Sequence, residues 1–389
     1  MKPELELYLH IPFCARKCSY CDFFSGAFSD EQKKRYFQDL RAEIREHTKN
    51  PETVYIPGTG GGVFPAGNLP VRSIFIGGGT PSLSDLSEFS ETIALLYDGF
   101  EIPDDAEFTI EANPGTLTEE KLRAYRNLGI NRLSLGLQSP DDGMLLKLGR
   151  IHNFTDFLRS YDLAREAGFQ NISIDLMSGL PGETPEHFEK GLRTVLSLQP
   201  EHLSVYSLII EENTPFYALY GPSGTKRTEL PEEEQDRAIY RMTGELLAAH
   251  GYERYEISNY AKPGYRCLHN IGYWTGVPYL GFGAAAASFS GRERRKNASS
   301  LSFRSMPLKE QEELSESDLM SEFMILGLRM TEGVPETEFS DRFKKDLSDI
   351  FGPVIRRHLE IGTLTESDGC IRLTPYGLDV ANAVMADFL

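Results

Sequence analysis

Six short β-forming runs recur along the first part of the chain, at residues 5–11, 72–76, 107–111, 132–136, 171–176 and 202–208. Stretches with helical periodicity lie between them, among them 30–47, 119–128, 153–167 and 185–198. Strands that alternate with helices form βα units and pair in parallel. Six such units fall short of the eight that close a TIM barrel, so the fold class is α/β, a partial (β/α)6 TIM-like barrel. Polar residues gather where these runs end: Gly78, Gly79 and Thr80, then Glu111, Gln138 and Asp175. Parallel sheets bind ligands at that end, because loops and helix N-termini converge there.

The first run ends at Pro12, and Cys14, Cys18 and Cys21 follow in its loop. A cubane iron–sulfur cluster takes four thiolates, and structural zinc takes four ligands, usually from two separated pairs. Three clustered cysteines without a nearby fourth ligand predict a cluster with one open iron, which is a place to bind something.

Composition narrows the classes. A net charge of −18 over 389 residues excludes a basic nucleic-acid surface. Five cysteines, three of them in one loop, argue against a disulfide framework and for a reducing compartment. The N-terminus lacks a signal peptide's apolar run and no segment is apolar enough to span a membrane, so a cytoplasmic protein is expected.

The organisation predicted is a barrel with an extension over residues 1–310 and a small domain over 311–389. Residues 51–70, rich in glycine and proline, read as a mobile insertion. Gly281–Ala286 reads as a tight turn of small residues, and the basic stretch 292–296 as solvated surface. Beyond residue 318, helices are expected at 320–330, 338–351 and 354–361. A hairpin over 362–374 and a last helix near Tyr376 follow, a winged-helix-like α+β arrangement. That small domain is not basic, which suits a lid or partner surface better than DNA.

Cys14-x3-Cys18-x2-Cys21 after a first strand, with Tyr20 before the last cysteine, resembles the radical S-adenosylmethionine (SAM) superfamily. The resemblance implies a [4Fe–4S] cluster on the three thiolates, with the amine and carboxylate of SAM on the fourth iron. It extends over nearly the whole chain to the coproporphyrinogen-dehydrogenase-like (HemN/HemW) branch. The matching segments are 8–14, 76–82, 111–114, 135–139, 148–152 and 175–182. Carried over by motif, the SAM contacts are Tyr8, Tyr20, Gly78, Gly79, Thr80, Glu111, Gln138, Arg150 and Asp175.

Two features divide that branch. Its oxidase type resembles Cys-x3-Cys-x2-Cys-x-Cys and has a longer N-terminal extension, whereas this chain has Phe23 at the fourth position. His269, Asn270, Tyr273 and Trp274 match the His-Asn-x-x-Tyr-Trp motif of the heme-handling members. The resemblance therefore implies a heme chaperone that passes heme to an acceptor protein, with His269 as ligand. On the residues alone, a hydrogen-bonded core cluster is an equal reading of that motif. Cys267 reads as a second ligand or a buried thiol, and Cys370 as a buried thiol. The alternative activity is radical-SAM oxidative decarboxylation of coproporphyrinogen III.

Overall fold

The computed structural model describes residues 3–56 and 62–389. The chain runs β1 (Leu5–Ile11), α1 (Asp30–Lys49), β2 (Thr53–Ile56), β3 (Gly62–Pro65), β4 (Val71–Gly78), α2 (Leu86–Gly99), β5 (Glu107–Ala112), α3 (Glu119–Asn127) and β6 (Arg132–Gln138). It continues through α4 (Asp142–Leu148), α5 (Phe154–Glu166), β7 (Ile172–Ser178), α6 (Pro185–Leu196), β8 (His202–Ser207), α7 (Pro215–Tyr220) and α8 (Glu233–Ala249). Next come β9 (Glu253–Arg254), β10 (Asn259–Ala261), α9 (Leu268–Thr275), β11 (Tyr279–Phe282), β12 (Ala287–Phe289), β13 (Glu293–Lys296) and β14 (Glu310–Glu313). The remainder is α10 (Glu316–Gly327), β15 (Val334–Pro335), α11 (Glu336–Phe343), α12 (Leu347–Ile361), β16 (Leu364–Ser367), β17 (Cys370–Leu373), α13 (Pro375–Asp379) and α14 (Ala381–Ala386).

The expected strands pair in parallel in the order β1-β4-β5-β6-β7-β8, the staves of a partial barrel. β11 adds a further parallel strand beside β1, so Gly281 and Phe282 belong to a strand and the small-residue turn begins after them. Antiparallel strands β12 to β14 extend one edge of the sheet, and β10 and β9 the other. The helices cover the outer face with alternate apolar residues. On α1 these are Tyr36, Phe37, Leu40 and Ile44, and Ser29 and Gln32 form a capping box at its start.

Three expectations need correction. Much of 51–70 is an ordered hairpin, with Val54, Ile56, Ala66 and Leu69 in the main core. Its Tyr55 amide donates to Ser290 O at 2.8 Å, and Glu52 pairs with Arg295. The alternation of Thr53–Ile56 was hidden by the glycines beside it, and residues 57–61 of that insertion lie outside the described residues. The basic stretch is not free surface: β13 sits between β12 and β14, Arg294 binds Glu322 at 2.6 and 2.9 Å, and Lys296 faces Glu310. The helix break falls at Lys344, in the left-handed conformation with φ 55°, and Pro353 lies inside α12. The acidic stretch at 310–318 supplies β14 and the start of α10. A second apolar cluster, including Met324, Leu328, Phe339 and Val384, forms among α10 to α14. No described helix is long and apolar enough to cross a membrane.

α9 lies against the amino-terminal halves of β1, β4 and β5, and the approach is close. A β-carbon on Gly272 would collide with the carboxylate of Glu6, which is itself fully buried. Gly272→Ala should therefore lower stability by about 1–3 kcal/mol, as overpacking does, read as a lower Tm. A variant as stable as its parent would mean that Glu6 has room to move.

Candidate functional site

The cysteine loop is held at several points. The Cys14 amide donates to Gly26 O at 2.8 Å, the Gly26 amide to Pro12 O at 2.9 Å, and His10 Nε2 to Phe24 O at 2.9 Å. Ser19 N reaches Leu148 O at 3.0 Å, and the Arg16 guanidinium donates to Gly149 O at 2.6 Å, tying the loop to the end of α4. From β4, Gly79 N donates to Ile11 O and Thr80 N to Phe13 O, at 2.8 and 2.7 Å. A β-carbon on Gly79 would meet Phe13 O at 2.8 Å, so only glycine allows this backbone approach.

All three cysteines are partly exposed and line one cavity of about 510 Å³. Among the described residues, no three Cys, His, Asp or Glu side chains converge closely enough to share a single metal ion. A cubane takes its thiolates one per iron, so three partly exposed cysteines of one loop on one cavity fit a [4Fe–4S] cluster with an open iron.

The same cavity is lined by Tyr8, Tyr20, Gly78, Gly79, Glu111, Gln138, Arg150 and Asp175. Thr80 is buried and sits behind it: its hydroxyl accepts from Asn113 Nδ2 at 2.6 Å and lies 3.7 Å from Cys14 Sγ. Asn113 Oδ1 in turn accepts from Arg150 at 2.6 Å, and Arg150 also donates to Gly136 O at 2.5 Å and towards Cys18 Sγ at 3.5 Å. Arg150 is thus anchored by protein groups as well as facing the cluster loop. Gln138 takes a positive φ of 71° at an irregularity in the β6–β7 pairing, which turns its side chain at the rim.

Glu111 accepts from Gly78 N at 3.1 Å, and burial, with Asp175 nearby, pushes its pKa up to about 8. Burial also raises Asp175, against the opposing pull of Ser134 and Arg132. Two buried acids held towards their neutral forms can take a cationic ligand by giving up a proton to become its counter-ion, and SAM carries a sulfonium and an amine.

Arg132 was not singled out from the sequence. Arg132, Ser134, Gly136 and Gln138 all line the cavity, two residues apart along β6. Counting back from Gln138 with the period of a strand would have found them.

The heme-type motif forms α9. Burial, helped by Arg132 and Arg72, lowers the pKa of His269 to about 3. Its Nδ1 is 2.8 Å from Ser73 Oγ, its Nε2 is 3.2 Å from Tyr273 OH, and its ring stacks on Phe75. His269, Asn270 and Tyr273 line the cysteine cavity from its other end. Trp274 does not: it lines a second cavity, with Arg329 over its ring at 4.2 Å. Cys267 is a fully buried thiol 3.4 Å from Glu107, and Cys370 is partly exposed on β17.

Comparison with known proteins agrees with this layout. The Radical SAM superfamily model matches residues 8–195 and the HemN C-terminal domain model residues 314–380. The heme chaperone HemW of Bacillus subtilis (strain 168) is 36% identical over 390 residues, covering 98% of this chain and 98% of that protein. The chain belongs to the HemW family of the radical SAM superfamily. The heme chaperone HemW of Escherichia coli (strain K12) is 35% identical over 399 residues, covering 100% of this chain and 98% of that protein. The solved coproporphyrinogen III oxidase HemN of Escherichia coli superposes with a TM-score of 0.82 over 99% of this chain and 89% of that one. At 24% identity it shares the fold. Membership of the superfamily makes a [4Fe–4S] cluster and SAM the cofactors of this HemW-family chain.

If SAM sits beside Glu111, its positive charge should pull the proton off that carboxyl. Between about pH 6 and 8, SAM affinity is expected to rise with pH and binding to release protons. Calorimetry in buffers of different ionisation heat measures this, and Glu111→Gln should remove much of the release. Unchanged proton release in that variant would place the titrating group elsewhere.

Proposed function

We propose that this protein is a heme chaperone: it binds heme at the α9 motif, carries a [4Fe–4S] cluster with SAM, and transfers heme to an acceptor protein. The observation that carries the reading is that His269, Asn270 and Tyr273 share one cavity with Cys14, Cys18 and Cys21. The similarity to heme chaperones over nearly the full length supports it. A neutral imidazole is what heme iron needs as an axial ligand, and burial keeps His269 neutral. Cys14, Cys18 and Cys21 hold the cluster. Tyr8, Tyr20, Gly78, Gly79, Thr80, Glu111, Gln138, Arg150 and Asp175 form the SAM site around it. The bound cluster supplies an open iron that fixes SAM. The chain's own part is to exclude water and orient the ligand. The cytoplasm is where such a protein would work.

Oxidative decarboxylation of coproporphyrinogen III is the weaker reading. Phe23, 69% exposed beside the cluster loop, stands where the oxidase type has a further cysteine.

Purified protein titrated with hemin should develop a Soret band that weakens in His269→Ala, and an unchanged band would remove His269 from the ligand role. Because His269 stays neutral above about pH 4, hemin affinity should not fall through its protonation between pH 8 and 5. Anaerobically reconstituted protein with SAM and a reductant should leave coproporphyrinogen III unchanged. Formation of protoporphyrinogen IX would overturn the chaperone reading.

A further inference from the structure

α9 divides two cavities of different chemistry. On one side is the cavity with the cysteines, whose lining includes Glu111, Asp175 and Arg132. On the other is a cavity of about 470 Å³, mostly apolar, walled by Trp274, Phe289, Leu319 and Phe323. Tyr273 lines both. Its ring stands edge-on to His269 at 4.8 Å and to Tyr279 at 4.5 Å, and its hydroxyl occupies His269 Nε2.

The apolar cavity holds two arginines, and they differ. Arg294 is paired in a bidentate fashion with Glu322. Arg342 has no carboxylate within ion-pair distance among the described residues. Among the described residues its hydrogen bond is a long one, to Thr275 O at 3.4 Å, and its Nε is buried without a partner there. Its guanidinium lies near the Phe323 and Phe343 rings, and burial lowers its pKa. Glu338 and Glu322 act on this half-buried guanidinium only from beyond ion-pair distance, and a ligand carboxylate offers the geometry that would pair with it directly. An aromatic-walled cavity with a single unpaired cation fits a flat apolar molecule carrying a carboxylate.

His269 supplies the link. With the Nδ1 proton donated to Ser73, Nε2 is the acceptor of the Tyr273 hydroxyl, and that tautomer is the one iron coordination at Nε2 requires. The other approach to Nε2 runs through the cavity that must hold the cluster and SAM. We propose that heme enters from the apolar side of α9. It docks against Trp274, a propionate pairs with Arg342, and Tyr273 turns aside as His269 Nε2 binds the iron. Tyr273 keeps its proton and gives up only its hydrogen bond. This proposal rests on the heme reading above and adds the route, the propionate partner and the gate.

The full-length protein is titrated with hemin and with hemin dimethyl ester, whose propionates are blocked. Arg342→Leu should weaken hemin binding about tenfold, the scale of one charge-assisted pair, without shifting the Soret band, and leave ester binding unchanged. Arg342→Lys should recover part of the loss, which separates a charge effect from misfolding. Tyr273→Phe should speed hemin association severalfold and keep the wild-type spectrum. The proposal fails if Arg342→Leu leaves hemin unaffected or weakens hemin and ester alike. It also fails if Tyr273→Phe changes the iron ligation, which would make the tyrosine the ligand. If the wild type binds no hemin, the heme reading itself falls. If the wild type binds and His269→Ala alters the band while Arg342→Leu does nothing, only the entry route falls.

Discussion

The carboxylate of Glu107, at the start of β5, holds the α9 motif to the barrel. It accepts from the amides of Leu268 and His269 at 2.9 and 3.1 Å and lies 3.4 Å from Cys267 Sγ. Those amides are the unpaired donors of a helix's first turn, and Cys267 at the N-cap offers them no side-chain oxygen. A sheet residue therefore caps a helix distant in sequence, with the negative charge at the positive end of the helix dipole. The orientation of His269 follows from that anchor at one end and from the fit of Gly272 over Glu6 at the next turn.

Behind Glu107 lies Arg132, 2% exposed, on the next strand. Burial works against its charge, but the acidic groups around it, Cys267, Glu107 and Asp175 among them, outweigh that effect and raise its pKa. Arg132 thus stands electrostatically between Glu107, which anchors α9, and Asp175, which lines the cavity with the cysteines. Removing either acid would leave a buried cation under-compensated, a cost that goes beyond the loss of one hydrogen bond.

How far the sequence led depends on which residues point inward. The cysteine spacing and the parallel βα order were legible because both are local patterns. Glu111, Gln138 and Asp175 were legible because ligands gather at strand ends. Arg132 and Glu107 were missed because they sit at strand beginnings, and the cavity runs back along the strands from the cysteines to α9. The hairpin at β2 and β3 was missed because four alternating residues were outweighed by adjacent glycines. The pairing of Arg294 with Glu322 could not be read from a local charge run, since its partner lies on α10. The partition formed by Tyr273 depends on which cavity each face of α9 meets, and the motif alone does not carry that information.

Burial acts on the two ends of the lumen in opposite directions and with one result. It raises Glu111 to about 8 and lowers His269 to about 3, so both rest in their neutral forms near pH 7. A neutral carboxyl is a poor host for a cation until the cation arrives and draws off its proton, so charge appears at the acid end only with its counter-ion. A neutral imidazole needs no such exchange: in the proposed gate its lone pair is available as soon as Tyr273 turns aside. On the proposed reading, loading SAM is linked to proton release, while loading heme at His269 is linked to the movement of one side chain. On that reading the two events fall on opposite sides of α9, and neither requires the other's change of charge.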